Sequence, residues 1–86
     1  MERKRGASPG HSIRVENLPN SVDSYQLRKA FKDFGRVDEC VVPEDERGQT
    51  KRWGVVQFGS KEAALAAAKT MDRAKFNGRE ISVKIE

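Results

Sequence analysis

Lys51-Arg52-Trp53-Gly54-Val55-Val56-Gln57-Phe58 is the stretch on which the fold turns. Gly54, Val56 and Phe58 fall on one side of a two-residue repeat, and Trp53, Val55 and Gln57 on the other. That is the pattern of a half-buried strand. Two cations precede the tryptophan, so a strand built from this stretch sets an aromatic ring beside charges able to hold a phosphate. Upstream, Ile13-Arg14-Val15-Glu16-Asn17-Leu18 shows the same alternation, with Ile13 and Val15 opposed to Arg14 and Glu16.

Between and beyond these stretches the sequence marks two helices and two further strands. Leu18-Pro19-Asn20 closes the first strand with a turn. Asp23 followed three places later by Gln26 forms a capping-box pattern, and Val22 and Leu27 occupy the staple positions, so a helix is expected from Asp23. Leu27, Ala30, Phe31 and Phe34 make its apolar stripe, and Gly35 stands where a left-handed terminal residue is wanted. Val37 to Val42 reads as the second strand, ended by Pro43. The polar run Pro43 to Thr50, with Gly48 for a positive φ, connects it to the third strand at residues 52–58. Ser60 caps a second helix whose Ala64, Ala67, Ala68 and Met71 form a narrow face for close packing. After Asn77-Gly78, the alternation of Ile81, Val83 and Ile85 gives the last strand.

The order strand, helix, strand, strand, helix, strand is that of a ferredoxin-like βαββαβ sandwich of the α+β type. Such a fold has a four-stranded antiparallel sheet with two helices on one face. The helices leave the other sheet face uncovered. Alternation sends Arg14, Glu16, Trp53, Val55 and Gln57 to that open face, joined by Ser82 and Lys84 from the last strand.

With 86 residues the chain forms one domain, burying about 60 to 65% of the surface that its unfolded form exposes. A net charge of +4 points to a polyanionic partner. The charge is unevenly spread, because residues 1–11 hold three cations and one anion while residues 12–86 hold 14 against 12. Residues 1–11, with Arg3-Lys4-Arg5, are expected to be a flexible basic tail, and residues 12–86 the domain. No apolar stretch approaches the roughly 18 residues of a membrane span, so no membrane partner is expected. The N-terminus lacks the apolar core of a secretory signal, and Cys40 is the only cysteine. An intracellular setting follows as the expectation, nuclear before cytoplasmic. Cys40 is expected to pack as a small core residue.

The stretches 13–18 and 51–58 resemble the hexamer and octamer motifs of the RNA-recognition-motif family, and the resemblance spans about residues 12–86. In that family three places on the open sheet are usually aromatic and stack successive bases. Carried onto this chain they are Arg14, Trp53 and Val55, of which only Trp53 keeps the aromatic. The octamer's first place keeps a cation as Lys51, and its second, usually glycine, is Arg52. Two missing stacking platforms are worth about 2 to 6 kcal/mol, so weak binding by the isolated domain is expected. Arg14 offsets part of that loss, since a guanidinium plane also stacks on a base.

The resemblance implies a single-stranded RNA-binding module of an RNA-processing protein, using Arg14, Trp53, Val55, Gln57, Lys51, Arg52, Ser82 and Lys84. Protein subunits of an RNA-processing complex would be further partners, and the isolated domain is expected to be monomeric. The plainer reading of the same residues has Trp53 shielding the sheet with Arg14 laid across it in a cation–π contact, and Lys51, Arg52 and Lys84 as solvated charges. On that reading the module binds protein and has little intrinsic affinity for RNA. One known protein-binding variant of the fold uses an Arg-X-Phe element near the last strand, but Lys75-Phe76-Asn77-Gly78-Arg79-Glu80 lacks it. Tyr25 and Leu65, outside the two apolar stripes, are candidates for a contact on the helical side. Catalysis finds no support: His11 lies in the expected tail, Cys40 stands alone, and no metal-ligand spacing or phosphate-cradling glycine loop occurs. No cofactor is expected.

Overall fold

Strand β1 (Ser12–Glu16) lies in the middle of the sheet, between β3 (Trp53–Phe58) and β6 (Ser82–Ile85), and β2 (Val37–Val41) flanks β3. The computed structural model describes residues 11–86. Helix α1 (Ser24–Phe31) joins β1 to β2, and α2 (Lys61–Met71) follows β3. The order across the sheet is β2–β3–β1–β6 with every neighbouring pair antiparallel, which is the expected ferredoxin-like arrangement. Arg3, Lys4 and Arg5 of the expected tail lie outside the described residues. His11 does not: its carbonyl accepts the Phe58 N–H at 2.8 Å, which prolongs the β1–β3 ladder.

The inward face of the sheet forms the core with the two helices. Ile13, Val15, Val56 and Phe58 are fully buried, together with Leu27 and Phe31 of α1 and Ala64 and Ala67 of α2. The Asp23 side chain accepts the Gln26 N–H at 2.9 Å, and Val22 and Leu27 on either side are buried, so the start of α1 is as the sequence predicts. Ser60 Oγ caps α2 by accepting the Ala63 N–H. Small residues on α2 let it approach closely. A Cβ at Gly54 would stand 2.8 Å from Leu27 Cδ2 and 2.9 Å from the Val41 carbonyl, so glycine there lets α1 and β2 close on the centre of β3.

Several element ends differ from the sequence expectation. Helix α1 stops at Phe31 and tightens into a 3₁₀ turn over Lys32–Phe34. Gly35 then adopts φ 153° and ψ −176°, an extended conformation open to glycine, in place of the left-handed cap. Its missing Cβ has a second use, since one would lie 2.7 Å from Ala63 Cβ on α2. The third strand begins at Trp53, because Arg52 has a φ of +66°. The last strand joins the sheet only from Ser82, and a small hairpin of β4 (Lys75–Phe76) and β5 (Arg79–Glu80) precedes it. Ile85, near the end of this edge strand, is exposed despite its inward phase.

Strand β2 carries the most consequential departure. Val37 faces Phe58 and Glu39 faces Gln57, so one extra residue is accommodated at Asp38. Such a bulge inverts the alternation beyond it. Val37 and Val42 are both buried, and Val41 turns to the open face. Cys40, opposite the buried Val56, therefore points inward, but on an edge strand it is only half-buried, packed at the margin of the core, with its thiol donating to the Ser24 carbonyl. Burial pushes this thiol up to about 11, against a smaller opposing effect of the Arg28 guanidinium.

Two outcomes are expected. Asp23→Ala should destabilise the domain by about 0.5 to 2 kcal/mol through loss of the α1 cap, measured as a shift in denaturation midpoint. Cys40 should react with a thiol reagent at pH 8 about 100-fold more slowly in the folded than in the denatured chain, since the protonated thiol is not the nucleophile. Because the folded state holds this proton more tightly than the unfolded state, its contribution to stability is intact below pH 9 and should fall as pH rises towards 11.

Candidate nucleic-acid interface

Three cross-strand rows make up the open face. Val41, Val55, Arg14 and Lys84 form the middle row, since Val55 faces Val41 on one side and Arg14 on the other, and Arg14 faces Lys84. Trp53, Glu16 and Ser82 form the row towards the C-terminal end of β1. Glu39 and Gln57 begin the third, in which Ser12, opposite Gln57, is itself buried. Pairing of adjacent strands thus brings together six of the expected site residues: Arg14, Trp53, Val55, Gln57, Ser82 and Lys84.

At the centre, the Arg14 guanidinium carbon sits 4.2 Å from the Trp53 ring centroid. Arg14 Nε also donates to Glu16 Oε2 at 2.7 Å. The arrangement follows from strand geometry. Arg14 and Glu16 share a face because they are two residues apart, and Glu16 lies directly opposite Trp53 in the ladder. Each contact is modest, about 0.5 to 1 kcal/mol for the cation–π pair and up to about 1 kcal/mol for a partly exposed ion pair. Their joint effect is orientation: the guanidinium is held over the indole, and any base that stacks on that side of Trp53 must rest on Arg14 or displace it.

Lys51 and Arg52 behave differently from the strand residues. Lys51 borders an open depression with Glu44, Asp45, Glu46 and Arg47 from the β2–β3 connection. Around that depression three carboxylates stand against two cations, Arg47 and Lys51, so the local charge is net acidic and draws a phosphate less than an isolated lysine would. Arg52, off the strand alternation, turns its Nε to the Asn20 Oδ1 in the β1–α1 loop. A φ of +66° is the backbone conformation that glycine adopts most readily, which accounts for glycine being usual at this octamer place.

Two contributors were not legible in the sequence. Val41, 45% exposed beside Val55, reaches the open face because of the bulge at Asp38, which leaves no compositional signal. The other is Arg79, whose Nε and Nη2 both donate to Asn17 Oδ1, at 3.2 and 3.0 Å. It is placed there by a hairpin that the sequence reading did not anticipate. Among the described residues no group of three His, Cys, Asp or Glu could hold a metal ion, and no helix is long and apolar enough to cross a membrane.

Comparison with known proteins agrees with this geometry. The family model described as RNA recognition motif matches residues 13–82. Polyadenylate-binding protein 2 of Arabidopsis thaliana is 32% identical over 81 residues, covering 94% of this chain and 12% of that protein. Human myelin expression factor 2 is 36% identical over 84 residues, covering 98% and 14% respectively. Among solved structures, the second RRM domain of yeast poly(U)-binding protein (Pub1) superposes with a TM-score of 0.79 at 32% identity, over 87% of this chain and 92% of that one. The chain thus spans only about one-eighth of the length of these two curated relatives.

The coupling at the centre of the face is measurable. A double-mutant cycle of Arg14→Ala and Trp53→Ala should give an interaction energy of about 0.5 to 1 kcal/mol in folding stability. Since Trp53 is the only tryptophan, Arg14→Ala should also alter its fluorescence spectrum. Additive effects together with an unchanged spectrum would show that the stack does not persist in solution.

Proposed function

The chain belongs to the RNA recognition motif family, and we propose that it binds single-stranded RNA on the open face of its sheet. The observation that carries this reading is the Trp53–Arg14 stack. A base needs a flat, polarisable platform, and here an indole and a guanidinium supply one at the centre of the two middle strands. Lys84, opposite Arg14 and exposed, adds charge along the same row for a backbone phosphate. Gln57 and Ser82 offer hydrogen bonds to base edges, and Val55 an apolar contact. The names of the polyadenylate-binding and poly(U)-binding relatives favour RNA as the ligand class.

Affinity of the isolated domain is weak on this reading. Two of the three usual stacking places lack an aromatic ring, and Arg14 must leave Glu16 or carry the base on its outer face. The domain then works within a larger RNA-processing protein or complex whose other parts add affinity, in keeping with the small share of each curated relative that it spans. Such a role places it in the nucleus or cytoplasm, as a binding module and not an enzyme. A second reading has one observation in its favour: exposed Val41 and half-buried Val55 make an aliphatic strip beside the stack, suited to a protein side chain.

Trp53→Ala separates the two. RNA affinity should fall by about 1 to 3 kcal/mol, read by titration with purified short oligonucleotides, in a variant whose NMR spectrum remains that of a folded domain. Undiminished RNA affinity in that folded variant would remove the stacking role and favour the protein-binding reading.

A further inference from the structure

Next to the Trp53–Glu16–Ser82 row, the end of β1, the start of β3 and the β4–β5 hairpin converge on the loop that starts at Asn17. The Leu18 N–H donates to the Arg52 carbonyl at 2.8 Å, Asn17 Nδ2 donates to the Glu80 carbonyl at 2.7 Å, and Thr50 Oγ1 donates to the Asn20 carbonyl. Two guanidiniums are fastened to this loop. Arg79 grips Asn17 Oδ1 with two nitrogens, and Arg52 donates its Nε to Asn20 Oδ1.

Both acceptors are neutral amides. Elsewhere on the described surface an arginine fixed by a side chain is fixed by a carboxylate, as in Arg14–Glu16 and Arg36–Asp38, and its charge is largely offset. Among the described residues, Arg52 and Arg79 are oriented with no carboxylate in an ion pair with either. Glu80, the nearest acidic residue in sequence to Arg79, faces Lys75 across the hairpin. After the observed bonds, each guanidinium keeps N–H donors for another acceptor, and a guanidinium fork matches the oxygens of a phosphate.

We infer that Arg52 and Arg79, seated on Asn20 and Asn17, form a site for backbone phosphate of the RNA strand whose base stacks at Trp53, and that Lys51, set among Glu44, Asp45 and Glu46, takes no part. This rests on the RNA-binding function proposed above. Arg52 immediately precedes Trp53 and Asn17 immediately follows Glu16, so both anchoring points adjoin the end of the Trp53–Glu16–Ser82 row. A phosphate attached to a nucleotide stacked at Trp53 is within reach of such a pair. The strand therefore leaves the sheet over the β1–α1 loop and the β4–β5 hairpin, away from the acidic β2–β3 connection.

The experiment is the salt dependence of binding to a randomised pool of single-stranded RNA octamers by the 86-residue chain and its variants. Each phosphate contact contributes about 0.7 to the slope of log affinity against log salt. Arg52→Gln and Arg79→Gln should each flatten the slope by about that amount, and Lys51→Gln should leave it unchanged. Arg79→Lys should keep the slope, which a purely structural role of the Asn17 grip would not allow. Asn20→Asp, which preserves an acceptor for Arg52 but adds a negative charge, should flatten it. Slopes unmoved by both glutamine variants, or a slope lost in Lys51→Gln instead, would overturn the inference while leaving the RNA-binding function intact. Failure of the unsubstituted chain to bind the pool would overturn both.

Discussion

Antiparallel pairing of β1 with β3 at the centre of the sheet is the constraint from which the rest of the domain follows. Ile13 faces Val56 and Val15 faces Gly54 in this ladder, so the inward side chains of both strands meet the helices together. The same register sends Arg14, Glu16 and Trp53 outward as neighbours. Core and candidate interface are therefore two faces of one set of hydrogen bonds. A shift of one residue would exchange them, placing Arg14 under the helices and Ile13 in water. The burial of Ile13, Val15, Val56 and Phe58 makes such a shift prohibitively costly and thereby holds the outer face in place.

On that outer face the charges are matched locally. The Arg14–Glu16 pair and the indole beneath it form a closed unit, so the face presents a platform of low net charge at its centre. Around it stand cations that form no ion pair among the described residues, with Lys84 on the edge strand and Arg52 and Arg79 at the loop end. A polyanion approaching this surface meets charge at the margins and a planar stack in the middle, an order suited to backbone held outside and a base held within. The acidic residues 44–46 stand at the β2–β3 connection, which gives the surface an electrostatic direction that its net charge does not convey.

Much of the architecture was legible because its signals are local. The cap at Asp23, the staple of Val22 and Leu27, the cap at Ser60 and the two-residue alternations each need only a few neighbouring residues to be recognised, and each is realised save at Ile85, where the edge strand ends exposed. Where the expectation departed from the structure, a distant contact was responsible. Gly35 takes its extended conformation beside Ala63 of the other helix, and β6 starts late because residues 75–80 fold into a hairpin against Asn17. Cys40 points at the core because of the bulge but lies at its margin because β2 is an edge strand.

The candidate interface divides in the same way. Alternation within β1, β3 and β6 was sufficient to send Arg14, Trp53, Val55, Gln57, Ser82 and Lys84 to one side, since the facing of a strand residue is a property of the strand itself. Tertiary structure alone decided that Arg14 lies over Trp53 and is bound to Glu16, that the bulge at Asp38 turns Val41 outward, and that Arg52 and Arg79 are each bonded to an asparagine of the β1–α1 loop while Lys51 borders the acidic β2–β3 connection. Each of those outcomes depends on which segments the fold brings together and on a backbone angle or an inserted residue, and neither is encoded in the spacing of apolar and polar residues along the chain.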